Sequence, residues 1–150
     1  MNRNSAHRIP LIATCLVLAC LLLMSGCATD LTSTVAPGTD LEAVKTAFVE
    51  RLPADDRGVE KLIAEELARM GIQAASGDAM PADQDYDILV TYRDKWMWDI
   101  TMYMIELRVQ ILKPDTRFVM ASGYTFRTSL ARKSPEEMVT EVMGEIFNEK

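Results

Sequence analysis

The chain has 150 residues, 49% hydrophobic and 25% charged, with 16 Lys and Arg against 22 Asp and Glu. That length suits one small domain of about 100–150 residues, and so much apolar material argues against a disordered chain. A formal net charge of -6 argues against a broad nucleic-acid surface, which needs a basic excess.

Arg3 and Arg8 open the chain, an uncharged apolar run extends from Leu11 to Leu23, and Ser25-Gly26 precede Cys27. A basic start, an apolar middle and a small-residue exit are the layout of a secretory signal. The run is short against the roughly 20 residues of a membrane-spanning helix. It predicts a signal peptide over 1–26. Met24-Ser25-Gly26-Cys27 resembles the lipobox of bacterial lipoproteins, with Met24 in place of the usual Leu. The resemblance implies a diacylglycerol on the Cys27 thiol and an acylated new amino terminus. Ordinary cleavage near Cys27 without lipid is the alternative. In Gram-negative lipoproteins an Asp after the cysteine signals retention at the inner membrane. Ala28 therefore implies an outer-membrane protein facing the periplasm.

Removing 1–26 takes away Arg3 and Arg8 but no acid, so the acidic excess grows by two charges. Attachment would then rest on acyl chains, each buried CH₂ contributing about 0.8 kcal/mol. The same cut removes Cys15, Cys20 and His7, the sole histidine. With Cys27 acylated, no thiol remains for a disulfide, a nucleophile or a thiolate metal site. Ser-His-Asp catalysis and nearly all zinc chemistry go with the histidine. The expectation is a non-enzymatic domain with no cofactor beyond its lipid and no metal.

Residues 27–43, rich in Thr, Ser, Ala, Pro and Gly from Ala28 to Asp40, read as the lipidated cysteine and a flexible tether. The domain is expected over 44–150. Lys45–Leu52 reads as a first strand. From Gly58 to Met70 the apolar residues Val59, Leu62, Ile63, Leu67 and Met70 make one helical stripe. Glu60, Lys61, Glu65 and Arg69 lie opposite, Asp55 or Asp56 caps the start and Gly71 ends the helix. Residues 74–85 read as a loop.

Tyr86–Trp98 alternates as a strand. Ile88, Val90, Tyr92, Trp96 and Trp98 share one face, and Leu89, Thr91, Arg93, Lys95 and Met97 the other. In the next strand, Thr101–Leu112, Tyr103, Ile105, Leu107, Val109 and Ile111 point one way. Met102, Met104, Glu106, Arg108 and Gln110 point the other. A fourth strand spans Phe118–Phe126, with Gly123 as a bulge site. Ser134-Pro135-Glu136-Glu137 is a capping box opening a last helix, whose apolar row is Met138, Val142 and Ile146 beside Val139, Met143 and Phe147. The order β-α-β-β-β-α predicts an α+β two-layer sandwich, with a four-stranded, mostly antiparallel sheet and both helices on one face.

The run from Phe48-Val49 through Asp55-Asp56-Arg57-Gly58 to Tyr92-x-Asp94-x-Trp96-x-Trp98-Asp99, with the later Lys133-Ser134-Pro135-Glu136-Glu137, resembles a group of small proteobacterial outer-membrane lipoproteins. The resemblance covers most of the chain after Cys27. It implies fold and placement and carries no activity.

Trp96, Trp98, Met102 and Met104 are the candidate contact residues, because aromatic and Met side chains offer large area with few polar demands. Closing the open end of the sandwich is their plainer role. The partners expected are the outer membrane, through the lipid, and an envelope protein; nucleic acid is not among them. A carrier of an apolar small molecule or lipid, with a Met-lined and aromatic-lined cavity between sheet and helices, is the alternative. Asp94, Asp99 and Glu106 are the acids a carboxylate-only enzyme would use. Asp83-x-Asp85-x-Asp87 has the alternation of a calcium loop. It lacks the Gly at the sixth place, where Ile88 stands, and the Glu at the twelfth, where Asp94 stands.

Overall fold

The structure, a computed structural model, describes residues 29–148. The expected signal peptide and Cys27 lie outside the described residues. Within them run β1 (Asp30–Val35), β2 (Thr46–Glu50), α1 (Val59–Arg69), β3 (Gln73–Gly77), β4 (Ile88–Asp99), β5 (Thr101–Leu112), β6 (Val119–Phe126) and α2 (Pro135–Asn148). One mixed sheet has the order β1-β6-β5-β4-β2-β3. β4, β5, β6 and β1 are successively antiparallel, while β2 is parallel to both β4 and β3. Helix α1 therefore sits in a β-α-β crossover between adjacent strands β2 and β3. The α+β class is as expected, but the sheet has six strands rather than four.

The two unexpected strands are both edges. β1 falls in the segment read as a tether. Its alternation of half-buried Leu31, Ser33 and Val35 with exposed Asp30, Thr32 and Thr34 suits a half-covered strand. It pairs with β6 along its whole length. β3, read as part of a loop, is built from Gln73, Ala74, Ala75, Ser76 and Gly77. Such small side chains carry no hydrophobic pattern, and their pairing with β2 is what makes them a strand.

Both helices cover one face of the sheet. Ala47 and Val49 of β2, Ile88, Val90 and Tyr92 of β4, and Leu107, Val109 and Ile111 of β5 meet Val59, Ile63 and Leu67 of α1 and Met138, Val139, Val142, Met143 and Ile146 of α2 in one core. Each fully buried aliphatic chain there contributes roughly 1.5–3 kcal/mol. Gly123 of β6 is no bulge; the β5–β6 register is irregular at Ile111/Leu112 instead. Its role is close approach. A Cβ at Gly123 would lie 2.7 Å from Ile146 Cγ1 and 2.7 Å from Val142 Cγ2, so the missing side chain lets α2 lie flat on β6. The capping box forms as expected, with Ser134 N donating to Glu137 Oε2 at 2.8 Å and Glu137 N to Ser134 Oγ at 3.2 Å.

Helix α1 departs from the simple stripe. Glu60, expected on the outer side, is buried, and so is Glu66. Glu66 accepts from Thr140 Oγ1 of α2 at 2.9 Å and pairs with Arg69. The inner stripe thus carries an acid that ties the two helices together. On the uncovered sheet face Phe48, Leu89 and Leu112 form a small second cluster under Met80 and Tyr86.

The most consequential irregularity is a bulge in β5. Lys95 lies opposite Glu106, but Trp96 lies opposite Met104, so Ile105 is the extra residue. A bulge of one residue reverses the alternation beyond it. Met102 and Met104 therefore share the side of Leu107, Val109 and Ile111, and are not grouped with Glu106, Arg108 and Gln110 as the uninterrupted pattern suggested.

Candidate functional site

β6 pairs with β5 only from Glu106 onward, and β2 pairs with β4 only at Ile88–Val90. Trp96–Asp99 and Thr101–Met104 therefore pair only with each other. They form a two-stranded ribbon that leaves the sheet. From the level of Lys95 and Glu106 to the turn is four register steps, or about 13 Å at the usual strand rise.

The ribbon ends in apolar side chains. Ile100 is 89% exposed, Trp98 69%, Met102 47% and Met97 46%. Leu130, in the short 3-10 turn Ser129–Ala131, is 85% exposed. Just after that turn, Arg132 braces the ribbon. It donates to Asp99 Oδ2 at 2.8 Å and to Thr101 Oγ1 at 3.4 Å, and its guanidinium lies 3.8 Å from the centroid of the Tyr103 ring. The one acid at the turn is thereby paired. Ile100 itself has φ +63°, the left-handed region where a β-branched residue is a true outlier.

Of the four expected contact residues, Trp98 and Met102 lie on this exposed end. Trp96 sits half-buried at its base, its Nε1 donating to Asp94 Oδ2 and its ring stacked 4.7 Å from the Arg57 guanidinium. Met104 is wholly buried in the core, because the bulge turns it inward, and it offers no surface for contact. Ile100 and Leu130 were missed. The readable signal was Asp99-Ile100-Thr101, a β-branched apolar residue where a hairpin turn prefers Gly or Asn.

A second cluster lies at the start of α1. Asp55 accepts from the backbone N–H groups of Arg57 at 2.7 Å, Gly58 at 3.1 Å and Val59 at 2.8 Å, and from Tyr92 Oη at 2.6 Å. Tyr92 Oη accepts in turn from Leu52 N at 3.2 Å. Burial pushes the Asp55 carboxyl up, but the hydrogen bonds from Tyr92 and the backbone outweigh it and hold the group below its ordinary value. Burial and the neighbouring Asp55 push the Tyr92 phenol well up. Glu60 is buried alongside, with Oε2 lacking a hydrogen-bond partner. The hydrogen bonds of Asp55 all serve to fix the loop, the helix start and strand β4 to one another.

The other acids do not converge. Asp94 bonds Trp96 and lies on the helix-covered side, Asp99 pairs with Arg132, and Glu106 lies opposite Lys95 on the uncovered face. Asp87 accepts from the N–H groups of Lys45 and Thr46, each at 2.8 Å, and these bonds hold it below its usual value. Among the described residues no group of three or more His, Cys, Asp or Glu is placed to hold a metal. The uncovered face carries a groove of about 460 Å³ lined by Thr91, Arg93, Arg108, Gln110 and Arg117. Met104, Met138 and Met143, which a carrier would use to line a cavity, are packed into the core. No helix among the described residues is long and apolar enough to cross a membrane.

No protein-family model and no curated protein matches the chain. Among solved structures the fold is similar to that of PelC from Paraburkholderia phytofirmans, described as a dodecamer. A single-residue variant of it has a TM-score of 0.59 at 14% identity, covering 82% of this chain and 100% of that one. Unsubstituted PelC in another crystal form has 0.57 at 15% identity, covering 82% and 100%. A PDZ domain protein from Parabacteroides distasonis has a TM-score of 0.50 at 12% identity, covering 80% of this chain and 36% of that one. At these identities the likeness is one of fold.

Proposed function

We propose that this chain is a lipid-anchored, non-enzymatic contact domain of the Gram-negative cell envelope, held on the periplasmic side of the outer membrane through Cys27. It works by confinement: a domain tied to a membrane meets its target at a raised effective concentration. The observation that carries the reading is the ribbon end, where Trp98, Ile100, Met97 and Met102 stand exposed beside a fully paired charge. Side chains of that kind stay in water at a cost unless a partner, whether protein or bilayer, covers them. The acids support the reading by what they do: Asp55, Asp87 and Asp94 hold the fold together rather than facing a common point.

Growth with labelled palmitate tests the anchor. The wild-type protein takes up label and the Cys27→Ser variant does not. A wild-type protein without label overturns the anchor.

A further inference from the structure

Resting on that reading of Cys27, we propose that the apolar end of the β4–β5 ribbon sits in the headgroup region of the same membrane that holds the lipid. Trp98, Ile100, Met97 and Met102 are the side chains immersed.

The direction of the chain argues for it. β1 is antiparallel to β6, and Asp30 lies level with Phe126, which lies level with Glu106. Followed backward from Val35 to Asp30, β1 points toward the end of the sheet from which the ribbon leaves. Cys27 is three residues upstream of Asp30, a reach of about 10 Å at most. The ribbon extends about 13 Å beyond Glu106. Fully extended, those three residues let a lipid on Cys27 reach to within a few ångströms of the level of the ribbon tip. Because β1 is a strand, no long tether is left to hold the domain away from the bilayer.

The chemistry of the tip agrees. Met97 and Trp98 lie on opposite sides of the ribbon and Ile100 caps its end, so the finger is apolar around its tip rather than on one side. Protein contact surfaces are typically patches with a polar rim; an apolar finger suits a fluid phase that can close round it. Trp is enriched at the headgroup level, where its ring meets apolar chains and its N–H stays hydrated. The charges near the tip are paired, Asp99 with Arg132. On an acidic protein, attraction to anionic headgroups is not available to seat the domain, which leaves apolar burial.

Trp96 and Trp98 are the two tryptophans of the chain, so Trp96→Phe leaves Trp98 as the sole reporter. The acylated full-length mature protein is placed in phosphatidylethanolamine and phosphatidylglycerol vesicles, with or without bromine on the acyl chains. Trp98 emission is expected to move to shorter wavelength and to lose most of its intensity on brominated vesicles. Ile100→Asp in the same background should restore much of that intensity while the protein still floats with the vesicles. In the converse variant, Trp98→Phe, the half-buried Trp96 should be quenched less. If labelled, co-floating protein shows equal Trp98 emission on both kinds of vesicle, the tip faces water or a protein, and the proposal falls while the anchor stands. If Cys27 carries no acyl chain, anchor and tip proposal fall together.

Discussion

The body of the sheet and the ribbon are parts of the same two strands, yet they follow opposite rules. From Ile88 to Tyr92, β4 buries its inward side chains against two helices. From Met97 to Asp99 the same strand is paired with β5 alone and leaves Met97 and Trp98 largely in water. In the body, hydrophobic residues are explained by folding alone. At the ribbon tip they bury little within the chain, so folding alone does not account for them.

Two methionines on one side of β5 test this contrast most sharply. Met104 is wholly buried, while Met102, two residues away, is 47% exposed. Met104→Ala should lower stability by about 2–5 kcal/mol, the usual cost of emptying a core site. Met102→Ala should stay within about 0.5 kcal/mol, as surface changes do. Urea unfolding of both variants reads the difference. Equal losses would mean that the ribbon is part of the core after all.

Asp55 comes next, because it anchors the body through four hydrogen bonds. Asp55→Ala removes the acceptor of the Arg57, Gly58 and Val59 N–H groups where the loop enters α1, and leaves the buried Tyr92 hydroxyl without its acceptor. The two losses together cost about 2–3 kcal/mol. The pH dependence has a definite sign. Because the folded carboxyl titrates below its unfolded value, its contribution is complete above the unfolded value of about 3.9 and disappears as pH falls through the folded one. Glu141 behaves alike: burial raises its pKa, but bonds from Lys133 and Arg127 outweigh that and lower it. Asp55→Asn should flatten the acid limb of a plot of unfolding midpoint against pH and leave the neutral region as the lower plateau.

A smaller effect is expected at Gly123. A Cβ there meets Ile146 Cγ1 and Val142 Cγ2 at 2.7 Å and Ile146 Cδ1 at 2.8 Å. Gly123→Ala should cost about 1–3 kcal/mol by overpacking. Paired with Ile146→Val, which removes Cδ1 and no other atom, part of that loss should return. A thermal melt of the double variant tests whether α2 is held at its distance by this one contact.

These outcomes also mark what the amino-acid order can and cannot express. Strands β2, β4 and β5 and both helices were legible because each carries apolar side chains at a regular period or a capping box. β1 and β3 were not, since Thr32, Thr34, Ala74 and Ser76 show little contrast between a loop and an edge strand; their neighbours decide. The bulge was hidden for a different reason. Met102, Tyr103, Met104 and Ile105 are all apolar, so either alternation fits, and only the pairing of Trp96 with Met104 reveals which side faces in. That is why the four expected contact residues divide: Trp98 and Met102 are exposed on the ribbon, Trp96 is half-buried at its base, Met104 belongs to the core, and Ile100 passed unnoticed in the turn.

Ile100 gives the smallest effect and the most pointed one. Its left-handed φ of +63° costs an L-residue roughly 1–2 kcal/mol, and at 89% exposure it recovers little of that by packing. Glycine adopts the same backbone freely but loses about 0.5–1 kcal/mol more chain entropy on folding. Ile100→Gly should therefore stabilise the protein by roughly 0.5 kcal/mol, read as a higher urea midpoint at unchanged slope. The same change should weaken Trp98 quenching on brominated vesicles. Stability and seating then move in opposite directions, which is the signature of a residue kept for contact rather than for folding. A variant that loses stability would show that the turn is not strained, and the contrast between ribbon and body would rest on exposure alone.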